Sequence, residues 1–92
     1  MNWTEYKSQI KETDSLGKQL IEQAEAEAQI LSAIIDRRAE LGLSQRELAA
    51  LCDMPQSSIA RIESNRTMPR LDTLLKILGQ LGLTLTVSQI SQ

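Results

Sequence analysis

The stretch "SQRELAALCDMPQSSIARIE", residues 44–63, decides how the chain is read. Ser44-Gln45-Arg46-Glu47 is a capping box. The Ser44 hydroxyl accepts from the Glu47 amide, and the Glu47 carboxylate accepts from the Ser44 amide, which opens a helix. Leu43, just before, staples onto Leu48. That helix is expected to reach Leu51 or Cys52 and to bury Leu48, Leu51 and Cys52. Asp53-Met54-Pro55 breaks it. Pro55 lacks an amide hydrogen and suits a first helical turn, so a second helix is expected near 55–64. At about 100° per residue, Ile59 and Ile62 share one side of it. Ser57, Ala60 and Arg61 lie opposite, with Gln56 on the flank. A solvated helix face is normally rich in Glu and Lys. This one carries small polar side chains and a single long cation.

Upstream, residues 16–41 read as one long helix. Leu20, Ala24, Leu31, Ile34, Ile35, Arg38 and Leu41 fall at helical spacing, no proline intervenes, and Gly42 stands as its C′ residue. Trp3, Tyr6 and Ile10 share a face of a shorter helix before it, with Thr4 as its cap. Downstream, Asn65 suits a left-handed helix stop, and "RTMPR" is a loop. Leu71, Leu74, Leu75, Ile77, Leu78 and Leu81 form a last helix, about 71–80, closed near Gly79 or Gly82. In "LTLTVSQI", Leu83, Leu85 and Val87 alternate with Thr84, Thr86 and Ser88, a period of two that reads as a strand. A lone strand leaves half its backbone groups unpaired, and two copies about a two-fold axis would remedy that. The expected fold is therefore all-α: about five helices, with a C-terminal β-strand pairing across a homodimer. Residues 1–30 form an N-terminal helical extension, 31–82 the central domain and 83–92 the dimerisation strand and tail.

Composition supports this. Ninety-two residues suit one small core. Aromatics are only 2%, Trp3 and Tyr6, and the apolar content is Leu, Ile and Ala, which favour helix. One cysteine excludes an internal disulfide, and the lack of histidine removes most zinc sites. No cofactor or metal is expected, and no nucleophile or acid–base arrangement marks an enzyme. No apolar run reaches membrane-spanning length, and the N-terminus does not read as a signal peptide, so a cytoplasmic location is expected. Net charge is −2, but unevenly spread. Residues 1–36 hold three lysines against seven carboxylates, net −4; residues 37–92 hold seven cations against five, net +2. All six arginines lie between 37 and 70. Such a split indicates two surfaces with different partners.

Two short helices joined by a tight turn describe a helix-turn-helix. Residues 31–82, with "LGLSQRELAALCDMPQSSIARIESNRTMPRLDTLLKILGQLG" at their heart, resemble the XRE-type helix-turn-helix of phage-repressor-like regulators. Gln45 starts the first motif helix, Ala49 of "ELA" sits where the two helices cross, Met54 takes the turn's apolar position, and "SSIARIE" takes the recognition helix. Two residues depart from the family pattern. Asp53 stands where the family often has Gly, so the turn must accept it. Pro55 replaces the common Ser or Thr cap, removing a side-chain bond worth roughly 1 kcal/mol. The whole-chain layout is similar to HigA-type and HipB-type antitoxins, and fits a HigA-like protein best.

The resemblance implies a recognition helix in a DNA major groove. Gln56 would read an adenine edge and Arg61 a guanine, Ser57 and Ala60 would permit close approach, and the Ala60 methyl would meet a thymine methyl. Ser58 points sideways, toward phosphate. Gln45, Arg46, Arg66, Thr67 and Arg70 are candidates for backbone contact. Glu63 is expected in a structural pair with Arg37 or Arg38. The implied partners are a palindromic double-stranded operator, a second copy of the chain, and a basic toxin of the RelE or HigB kind. The acidic N-terminal helix, with Trp3, Tyr6 and Ile10, is the candidate toxin surface. Alternatives are a stand-alone phage or mobile-element repressor and a protein-interaction adaptor that no longer touches DNA.

Overall fold

The computed structural model describes residues 2–4 and 15–89. Within them run four helices: α1 (Ser15–Glu40), α2 (Gln45–Leu51), α3 (Gln56–Glu63) and α4 (Leu71–Gln80). The expectation of about five helices is corrected accordingly. Of the short helix expected around Trp3, Tyr6 and Ile10, only Trp3 and Thr4 are described. Both are already helical, so Thr4 is not its cap. Tyr6 and Ile10 lie outside the described residues.

The C-terminal strand is also corrected: residues 83–89 adopt no strand. Alternation assigns side chains to two faces, but a strand exists only as a ladder with a second backbone. Every other described element is a helix that satisfies its own amides. The Leu83 amide, moreover, is engaged in ending α4, donating to Leu78 O at 2.8 Å. Leu85 is partly exposed and Val87 almost wholly so. The strand expected at Leu83, Leu85 and Val87 is therefore not seen in the described residues.

All four helices stop in the same way. In each, the residue after the cap takes a left-handed conformation, and two backward hydrogen bonds close the last turn. Gly42 donates to Ala39 O and Leu43 to Arg38 O, each at 3.0 Å. Asp53 donates to Ala50 O at 3.2 Å and Met54 to Ala49 O at 2.9 Å. Asn65 donates to Ile62 O and Arg66 to Arg61 O, each at 3.0 Å. Gly82 donates to Gly79 O at 3.1 Å, beside the Leu83 bond. The four pivots have φ of +70° (Gly42), +55° (Asp53), +61° (Asn65) and +72° (Gly82). Glycine adopts this conformation freely and Asn or Asp with some strain. Asp53→Gly should therefore raise stability, by about 0.5 kcal/mol once glycine's greater freedom in the unfolded chain is allowed for. A urea titration would show the midpoint moving up with an unchanged slope.

By internal contacts the chain falls into two units, Met1–Ile30 and Leu31–Gln92. In the first, Ile21 is buried, while Leu16 and Leu20 are exposed. In the second, Leu31 and Ile34 of α1, Leu48 and Ala49 of α2, Ile59 and Ile62 of α3, and Leu74, Ile77 and Leu78 of α4 make the core, with Cys52 and Leu81. Leu51 was expected inside but is 49% exposed. On α2 the buried direction runs through Leu48, Cys52 and Ala49, and Leu51 falls about 100° to one side of it. Ala49 takes the buried place, consistent with a close crossing of α2 and α3, which pack together. Cys52 is a core residue whose thiol burial pushes up in pKa. Two long cations tie helix ends across the core. Arg37 Nε donates to Leu81 O at 2.9 Å, beyond α4, and Lys76 Nζ donates to Cys52 O at 3.2 Å, beyond α2.

Candidate nucleic-acid interface

The turn between α2 and α3 occupies Cys52–Pro55, and the two helices pack against each other. The capping box forms as the sequence requires. Glu47 N donates to Ser44 Oγ and Ser44 N to Glu47 Oε1, both at 3.0 Å. Donation from the Ser44 amide, and after it the Ser44 hydroxyl, holds the Glu47 carboxyl below its ordinary pKa. Pro55 is the N-cap of α3, not its first residue, with φ −65° and no side-chain capping bond. The start of α3 is thus set by proline's fixed φ and by the left-handed Asp53 two residues earlier.

With Ile59 and Ile62 anchored inward, Gln56, Ser57 and Arg61 are exposed, and Ser58 and Ala60 are half-buried. The face away from the core is the one the helical angle assigned. At its C-terminal end, Ala60, Arg61, Ser64 and Arg66 line a notch. The Ser64 hydroxyl donates to Arg61 O at 3.0 Å, and the Arg66 amide to the same oxygen. The helix stop therefore brings two arginines to one notch. Ser64 was not singled out from the sequence. It follows Ala60 by four residues, so extending the outward strip by one turn would have found it. Arg46, Arg61 and Arg66 form no ion pair among the described residues. Arg70 meets Asp72 at 3.5 Å on an open surface, a weak pair that a phosphate could displace. Thr67 is exposed in the loop between α3 and α4.

Behind the strip, Glu63 joins three elements. Arg38 of α1 grips it in a fork, Nε to Oε2 at 2.7 Å and Nη2 to Oε1 at 2.8 Å. Arg38 Nη1 also donates to Leu43 O at 2.9 Å, in the turn before α2. Gln45 Nε2, from the start of α2, donates to Glu63 Oε1 at 2.9 Å. The side chains are 18% (Arg38) and 6% (Glu63) exposed, so this is a nearly dry pair. Of the two arginines weighed as Glu63's partner, Arg38 takes it, and Arg37 turns instead to Leu81 O and Glu40. Gln45, read as a phosphate ligand, has one amide hydrogen already engaged.

Burial alone would raise the Glu63 carboxyl's pKa, but the bonds from Arg38 and Gln45 and the Arg38 charge outweigh it and hold it below the ordinary range. The fork correspondingly raises Arg38. A carboxyl depressed in the folded state stabilises it above the unfolded-state pKa, and that contribution is lost as pH falls through the folded value. Stability should therefore stay level down to about pH 5 and fall below about pH 4, where carboxylates protonate. Urea midpoints measured across pH 3–7 check this, and Glu63→Gln should flatten the acid limb.

No group of side chains suited to a metal ion occurs among the described residues, and no helix there is long and apolar enough to cross a membrane. Two helices joined by a short turn, the second presenting a nearly uncharged strip beside exposed arginines, define a DNA-binding helix-turn-helix domain. The chain belongs to the Helix-turn-helix family, whose profile matches residues 34–88, and it is an XRE-type transcriptional regulator rather than an enzyme. It is 37% identical over 86 residues to an uncharacterised HTH-type transcriptional regulator of Haemophilus influenzae, covering 94% of this chain and 83% of the relative. Among solved structures it is similar to a toxin–antitoxin module from Streptococcus pneumoniae. The TM-score is 0.73 and the identity 36%, over 99% of this chain and 94% of the other.

Proposed function

We propose that the chain is the antitoxin of a toxin–antitoxin pair, HigA-like, and represses its own operon by binding DNA. The observation that carries this reading is the likeness to the Streptococcus pneumoniae toxin–antitoxin module, which covers 99% of the chain at 36% identity. Under this reading the chain works in the cytoplasm as a homodimer on a palindromic operator, with half-sites about 34 Å apart or a multiple of that. Gln56, Ser57, Ala60 and Arg61 read base edges. Gln45, Arg46, Ser58, Arg66, Thr67 and Arg70 contact the backbone. The partner is a basic toxin of the RelE or HigB kind, met by the acidic N-terminal segment with Trp3, which is 55% exposed, and with Tyr6 and Ile10. Charge complementarity there would mainly speed and select the encounter.

The test has two arms. The chain is co-expressed with the product of the adjacent reading frame, and its binding to the DNA upstream of its own gene is measured against salt. The expected result is a stable complex with a small basic protein, and DNA affinity whose salt slope falls by about 0.9 for each cationic phosphate contact removed. A second reading, a stand-alone repressor, is favoured by the Haemophilus influenzae relative, described simply as a transcriptional regulator. Salt-dependent DNA binding with no complex in the first arm would select it. Loss of both would leave an adaptor that no longer touches DNA.

A further inference from the structure

Helix α4 buries Leu74, Ile77 and Leu78 and leaves Leu71 and Leu75, 62% and 48% exposed, on the adjoining flank. At about 100° per residue, Leu71, Leu75 and Gly79 fall within about 80° of one another and make one exposed seam along α4. Gly79 has no left-handed backbone angle, and a Cβ added there would meet nothing within 4 Å. The fold of a single chain therefore has no need of glycine at this position, although only proline is less favourable in a helix. Both charges of α4 are engaged within the chain. Lys76 Nζ donates to Cys52 O at 3.2 Å, and Asp72 Oδ1 accepts from the Thr73 amide at 2.9 Å beside its pair with Arg70. A basic partner would find no charge to meet on the seam itself.

A second copy of the same helix fits it. With two α4 helices antiparallel about a two-fold axis at Leu75, Leu75 meets Leu75 of the second copy. Leu71, four residues before the axis, then meets Gly79, four residues after it. Each large side chain lies over a missing one, so the two helices can approach closely. This is the self-complementarity that an isologous contact requires.

We propose that Leu71, Leu75 and Gly79 form the homodimer interface, with α4 packed antiparallel across the two-fold axis and Leu71 of each copy seated over Gly79 of the other. This rests on the homodimer in the reading above and gives it a contact that needs no C-terminal strand. None of the residues assigned to base edges lies in the seam, so the strip of α3 is not consumed by it. A seam one helix long is smaller than the roughly 800 Å² per partner of a standard stable interface, so association is expected in the micromolar range.

The test is sedimentation of the full chain across micromolar concentrations, without DNA, followed by disulfide trapping. Wild type should show a reversible monomer–dimer equilibrium. Gly79→Gln fills the hollow without adding charge and should raise the dissociation constant at least tenfold, while its urea midpoint as a monomer holds or rises. Leu75→Glu, which sets like charges against each other at the axis, should sediment as a monomer. Leu51→Glu, at an equally exposed leucine of α2, should dimerise as wild type does.

Trapping fixes the register. Leu75→Cys should oxidise rapidly to a covalent dimer. Leu71→Cys should not, because an antiparallel pair centred on Leu75 holds the two copies of residue 71 about 12 Å apart along the axis, beyond disulfide reach. Cys52 is buried and does not compete. A wild type that stays monomeric overturns the proposal. So does a dimer indifferent to Gly79→Gln, or one that Leu71→Cys traps as readily as Leu75→Cys. These readouts use no DNA, so a trapped dimer that binds no duplex would sink the gene-control reading and leave the interface standing.

Discussion

Replacing Glu63 by alanine is expected to lower folding stability by about 3 kcal/mol, the low end of what breaking a buried ion pair costs. The substitution strips the partner from an Arg38 guanidinium that is 18% exposed, and it leaves that charge desolvated. It also removes the acceptor for Gln45 Nε2 and so detaches the start of α2 from the end of α3. Small domains have only about 5–15 kcal/mol in total, so a large part of the margin goes. The comparison that identifies the cause is the paired variant Arg38→Met with Glu63→Leu. Removing both charges leaves no buried charge unpaired, and only Leu43 O and Gln45 Nε2 lose a partner, so much of the loss should return. Chemical denaturation of wild type, each single variant and the pair gives the coupling directly. Independent, additive losses would show that the fork is incidental.

Arg61→Ala is expected to relax sequence preference by roughly 5- to 150-fold at one base position, the range of about 1–3 kcal/mol for a bidentate base contact. Arg66→Ala should weaken every sequence alike and reduce the salt slope by about 0.9. The two residues line the same notch, so the contrast is demanding. It depends on where each sits. Arg61 projects from the helix face opposite Ile59 and Ile62, whereas Arg66 lies beyond the left-handed stop at Asn65, in the loop. Selection from a randomised duplex pool with each variant would separate the roles. Stability should hardly change in either, because neither arginine forms an ion pair among the described residues.

Much of this architecture was legible in local sequence because local chemistry dictates it. The Ser44–Glu47 capping box, the stops at Gly42 and Asn65, and the inward Ile59 and Ile62 each depend on residues a few positions apart. Asp53 was recognised as a residue the turn must accept, and the left-handed stop is how the turn accepts it. What local reading missed was decided by distant partners. The alternation at Leu83, Leu85 and Val87 specified two faces but no second backbone, and the stop of α4 claimed the Leu83 amide. Leu51 has the right chemistry for the core but the wrong angle, and Ala49 fits because α3 packs closely there. That Gln45 answers to Glu63, eighteen residues away, follows only once α3 packs against α2.

Under the proposed function, the outward strip of α3 faces a DNA groove. The measurement that tests it most directly is amide and side-chain chemical-shift mapping of the full chain as the selected duplex is added. The predicted result is a set of large shifts at Gln56, Ser57, Ala60 and Arg61, with smaller ones at Arg66, while the buried Ile59 and Ile62 move little. Shifts that leave this strip untouched and gather on another surface would contradict it.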